Sequence, residues 1–146
     1  MAKVTVAEQM DKMVAVLREW QGIERKSVEQ TSEIMESTSN SYVRLIMELI
    51  RHDSLMHHRV QQFLIDTLTR DAISLTPEEL AVVWDKIEAH DQAEKRVIEL
   101  AQELKQGTWS VLQKQLVDYL ATDEAKHDEL MEQLGKVKRG MYPYGA

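Results

Sequence analysis

Apolar residues recur along the chain at steps of three and four, the spacing that gathers them on one side of an α-helix. Met10, Met13 and Leu17 begin such a row, which resumes with Val28, Thr31, Ile34 and Met35. Thr5-Val6-Ala7-Glu8 precedes it as a capping box, a Thr hydroxyl taking a free amide of the first turn while the Glu three residues on reaches back. The polar run Ser37-Thr38-Ser39-Asn40 ends this helix. A second row, Val43, Ile46, Ile50, Val60 and Leu64, predicts a helix from about Ser41 to about Thr69. Thr76-Pro77-Glu78-Glu79 is another capping box, with Pro at the first helical position, where its missing N–H is no loss. A third helix runs from there to a stop at Gly107. Thr108 is the expected cap of a fourth, lasting to about Lys138. The pattern predicts an all-α chain, with residues 1–139 a single domain of four helices and 140–146 an irregular C-terminal tail.

The informative positions are those where polar groups interrupt the rows. On the first helix, steps of three and four from Leu17 pass Trp20 or Gln21 and reach Glu24 before Val28. On the second, Ile50 leads to Ser54, His57 and Val60. On the third, Leu80, Val83, Ile87, His90, Glu94, Ile98, Ala101 and Leu104 make one row. On the fourth, Leu112, Leu116 and Leu120 lead to Glu124, His127 and Met131. His52 and His58 fall off these rows and read as solvated, and Trp20, Trp84 and Trp109 read as packing residues. An inward carboxylate with no partner costs several kcal/mol or takes up a proton. A divalent cation removes that cost, since carboxylates and imidazoles are natural ligands for iron, manganese and zinc.

The spacing repeats. Glu24 to His57 and Glu94 to His127 are both 33 residues, so the two halves superpose with an offset of 70. That offset also pairs Glu29 with Glu99, Glu33 with Glu103, Asp53 with Asp123 and Val28 with Ile98. The chain therefore reads as two pseudo-repeated helical hairpins, each supplying a Glu from its first helix and a residue-x-x-His pair from its second.

Composition narrows the chemistry. The 146 residues carry 18 Lys and Arg against 25 Asp and Glu, a net charge of −7 that argues against nucleic acid as a partner. With no cysteine, disulfides, iron–sulfur clusters and thiol catalysis are excluded. Five Gly and two Pro leave little for the turns of an all-β fold. No apolar run approaches the ~18 residues of a membrane span, and residues 1–5 show no apolar secretory core. A cytoplasmic protein without membrane contact is expected.

With these residues in view, the chain resembles the ferritin-like superfamily and, within it, rubrerythrin-like proteins. That family builds a dinuclear site from one Glu on each of two helices and a Glu-x-x-His on each of the other two. The resemblance spans Glu24 to His127. It implies a ferritin-like four-helix bundle in which Glu24 and Glu94 are the single-Glu ligands, and Glu124 with His127 fills one Glu-x-x-His. In Asp53-Ser54-Leu55-Met56-His57, Ser54 stands where the family has Glu. Asp53 or His90 is then a replacement donor, or water leaves an open coordination position. The family's long crossover between the second and third helices also does not fit the short linker Arg70 to Thr76. Either part of 63–84 serves as crossover, or the bundle runs up-down-up-down.

The resemblance implies two iron ions per chain, with one ion, or manganese or zinc, as alternatives. It also implies reduction of peroxide or dioxygen, a homodimer, and an external electron donor, since the chain has no Cys for a rubredoxin module. Two other readings compete: a non-catalytic metal-handling protein with a degenerate site, favoured by Ser54, and a metal-free helical interaction module whose inward Glu and His groups pair with each other.

Overall fold

The computed structural model describes residues 2–141, which form four α-helices and no strand: α1 (Val6–Glu36), α2 (Ser41–Thr69), α3 (Pro77–Lys105) and α4 (Val111–Met141). At 1.5 Å per residue, helices of 29 to 31 residues are about 45 Å long. None of them is long and apolar enough to cross a membrane. Packing divides the chain into two compact units, residues 1–73 and 74–146, each a hairpin of two helices.

The helix starts are set by hydrogen-bonded caps. Thr5 and Thr76 each accept from the backbone N–H three residues on, and Glu8 and Glu79 each accept the cap residue's own N–H at 2.7 and 2.8 Å. Asn40 caps α2, its side-chain oxygen accepting from the Val43 amide at 3.0 Å. The start of α4 differs from the sequence expectation. Ser110, not Thr108, is the cap, its hydroxyl accepting from the Gln113 amide at 3.3 Å while Gln113 accepts from the Ser110 amide at 3.0 Å. Thr108 is displaced from that role by Trp109. The Trp109 indole N–H donates to the last-turn carbonyl of Leu104 at 2.7 Å and so closes the end of α3. Its ring lies over Gly107, where an added Cβ would come within 2.9 Å of the indole nitrogen. Replacing Ser110 by Ala is expected to lower stability by about 1 kcal/mol, measured by chemical denaturation, with Thr108→Ala near neutral.

At its other end α4 continues through Gly140 and Met141, three residues past the expected stop. The tail expected from 140 therefore starts no earlier than 142, and residues 142–146 lie outside the described residues. α2 reaches Thr69 and α3 begins at Pro77, so within 63–84 only residues 70–76 are non-helical.

In the first hairpin the helices are antiparallel, as the pairs Gln21–Gln62, Arg25–His58 and Ser27–Ser54 show. The seam between them is polar. Gln21, Glu24 and Thr31 of α1 and Ser54, Gln61 and Ile65 of α2 are buried. The expected α2 row of Val43, Ile50, Val60 and Leu64 lies beside the seam and is exposed. One helical residue turns through about 100°, so a seam one position further along the chain turns those apolar side chains off the contact. In the second hairpin Leu80, Val117 and Ala121 are buried with Glu94, while Leu112 and Leu120 of the expected α4 row are exposed. The second hairpin is also antiparallel, with the Lys138 ammonium of α4 4.4 Å from the Trp84 ring of α3. Each hairpin thus places a carboxylate at mid-length in the contact between its helices.

Candidate metal centre

Glu94 lies on α3 and Glu124 and His127 on α4, one turn apart on the face toward α3. One ligand atom from each of the three lies within 4.8 Å of the others. The Glu94 side chain keeps only 9% of its surface. His127 Nδ1 is 3.6 Å from Glu94 Oε1 and 3.5 Å from Glu124 Oε2. These separations are long for hydrogen bonds. They match two donors held about 2.1 Å from one ion, which stand roughly 3 to 3.5 Å apart. Glu94 Oε2 is buried and accepts no hydrogen bond. A buried, unpartnered carboxylate oxygen on a residue grouped with a second carboxylate and an imidazole is what a cation would satisfy.

Two neighbours orient these groups. His90, one turn before Glu94, is 3.0 Å from Glu94 Oε1 through Nε2 and holds that carboxylate in place. The other face of His127 meets Asp123, with Nε2 3.5 Å from Oδ2. A carboxylate thus stands behind the ring, on the side away from Glu94 and Glu124, as it does behind many histidine metal ligands. Hydrogen bonding with the Glu94 carboxylate, then burial, then Glu94's negative charge push Glu124 above the ordinary carboxylate range.

The first hairpin builds a different environment around its carboxylate. Glu24, 7% exposed, accepts from the Trp20 indole N–H at 3.0 Å and from His57 Nδ1 at 3.2 Å, both on Oε1. Ser54, 4% exposed, lies at the same depth, its hydroxyl sharing a 2.9 Å hydrogen bond with Ser27. Burial works to raise the Glu24 pKa, but hydrogen bonds from Ser54, His57 and Trp20 outweigh it and hold Glu24 below the usual value. Asp53 is exposed and does not join Glu24 and His57 in a three-donor group.

Of the expected site residues, Glu94, Glu124 and His127 are therefore brought together, with His90 against Glu94. Glu24 and His57 are paired with each other. His58 departs from its expected solvated role: it is half-buried, its Nε2 accepts from the Arg25 guanidinium at 3.1 Å, and its carbonyl accepts from Gln21 at 3.4 Å. Sequence reasoning also missed Trp20 and Asp123 as partners of the inward groups. Trp20 stands four residues before Glu24, as His90 does before Glu94, and Asp123 four before His127. That i, i+4 spacing was the available signal. Compared with family models, curated proteins and solved structures, the chain matches none.

Proposed function

We propose that this chain is a metal-binding protein whose cation is held by Glu94, Glu124 and His127. The observation that carries the reading is that Glu94, grouped with Glu124 and His127, has a buried Oε2 without a hydrogen-bond partner. The donor set, two carboxylates and one imidazole, suits iron first, with manganese and zinc as alternatives. Three protein donors fall short of a full shell and leave room for an exogenous ligand, which a reactive centre needs.

Within this reading the protein is ferritin-like and cytoplasmic. The equal 33-residue spacings support two repeated hairpins, since Glu24 meets His57 as Glu94 meets His127. The apolar side chains exposed beside each seam, such as Ile50 and Leu120, leave each hairpin with a flank that needs cover. Reduction of peroxide or dioxygen is the activity this class of centre supplies when iron is bound. The chain's own part is to hold the cation through Glu94, Glu124 and His127, with His90 beside Glu94 and Asp123 beside His127. The electrons would come from an external donor, and a second copy of the chain is the expected assembly partner.

The test is titration of metal-stripped protein with Fe(II) under anaerobic conditions and with Co(II), whose visible bands report coordination. Saturable binding that is lost in His127→Ala is expected. Fewer than a tenth of an ion per chain after reconstitution would sink the proposal.

A further inference from the structure

The two inward carboxylates are satisfied in different ways, and the difference bears on how many ions the protein takes. Glu94 has one oxygen with no partner at all, and its neighbours Glu124 and His127 stand at ligand-to-ligand separations. Glu24 has its charge met by protein donors, Trp20 and His57, both on Oε1. Among the described residues of the first hairpin, no third Asp, Glu or His joins Glu24 and His57. The position one turn before His57 is Ser54, and its hydroxyl is already engaged by Ser27. A neutral hydroxyl is a poor substitute for a carboxylate toward iron, manganese or zinc.

We propose that the chain binds one divalent cation, at Glu94, Glu124 and His127, and that Glu24 is a cation-free carboxylate whose charge is carried by hydrogen bonds from Trp20 and His57. This rests on the metal-binding reading above and departs from the two-ion site that the family resemblance implies. Ser54 is the residue that makes the difference. A carboxylate there would give the first hairpin the same Glu, Glu and His donors as the second.

The experiment is Mn(II) binding to the full chain, followed by electron paramagnetic resonance and equilibrium dialysis, for the parent and three variants. One ion per chain is expected in the parent and in Glu24→Gln, none at comparable affinity in Glu124→Gln, and two in Ser54→Glu. His57→Ala, at an exposed side chain, repeats the Glu24→Gln arm with little risk to folding and is expected to keep one ion. Two ions in the parent, the second lost in Glu24→Gln, would overturn the inference and leave the metal-binding reading intact. Retention of one ion in Ser54→Glu would also overturn it, since Ser54 would not be what denies the second site. Absence of binding in the parent would sink the metal-binding reading itself.

Discussion

Glu94→Gln is expected to weaken divalent-metal binding by about 100-fold or more while leaving the metal-free protein at least as stable as the parent. The loss is large because the substitution removes a charged donor from a three-donor group, and disturbing even the residues behind such donors costs roughly 10- to 100-fold. The unchanged metal-free stability follows from the same geometry. Glu94 has a buried oxygen with no partner and lies against a second carboxylate, so its charge is a burden until a cation arrives. A ligand present at 100 times its dissociation constant stabilises the folded state by about 2.7 kcal/mol. For a chain of this size that raises the melting temperature by roughly 5 to 10 °C. Thermal melts with and without Co(II) or Zn(II) would show that shift in the parent and not in Glu94→Gln. A variant that keeps the parent's shift would remove Glu94 from the site.

The second large effect is a change of sign with metal at Glu124. Its pKa is raised in the folded, metal-free protein. A carboxyl group raised in this way contributes stability that is fully present below its unfolded value and is lost as the pH rises through the folded one. At pH 7 the metal-free protein has lost that contribution, so Glu124→Gln should stabilise it, by about 1 kcal/mol, with the gain shrinking toward pH 4. With metal bound the same substitution deletes a ligand and should destabilise. Glu24 behaves oppositely. Its folded pKa is lowered, so its contribution is present above the unfolded value and is lost as the pH falls through the folded one. Glu24→Gln should therefore destabilise the metal-free protein at pH 7, and less so in acid. Urea denaturation of metal-free parent and variants at pH 7 and pH 4, repeated at pH 7 with saturating metal, measures all of these. Effects of the same sign at Glu24 and Glu124 in the metal-free protein would contradict the difference between the two carboxylates.

Metal affinity itself should fall in acid, because His127 must be neutral and Glu124 ionised to bind a cation. Each proton that competes with the ion lowers apparent affinity by up to about 10-fold per pH unit. A dissociation constant that stays flat from pH 7.5 to pH 5.5 would count against His127 as a ligand.

The sequence made the ends of α1, α2 and α3 legible because caps are local chemistry. Thr5, Asn40 and Thr76 act through the three or four residues that follow them. The start of α4 was harder, since Thr108 and Ser110 are equally good caps in isolation. The choice was made by Trp109 folding back onto Gly107 and Leu104. The second hairpin's cluster was legible because Glu94, Glu124 and His127 all interrupt apolar rows. The exact seams were not. An apolar stripe more than 100° wide fits Val60 and Leu64 as well as Gln61 and Ile65, and only the partner helix decides between them. What surrounds Glu24 was read only in part, because indole and hydroxyl donors at positions 20 and 54 look like packing residues until their hydrogen bonds are seen.

The mid-helix location of the second cluster has a mechanical consequence. Sliding α3 past α4 by one turn moves a donor by about 5.4 Å, more than the 4.8 Å that spans the three ligand atoms. A captured ion would act as a rivet that records one alignment of these helices and forbids its neighbours. Pulling the ends of the second hairpin apart along the helix axes would then meet a sudden rupture when loaded, and gradual yielding once a chelator had taken the ion away.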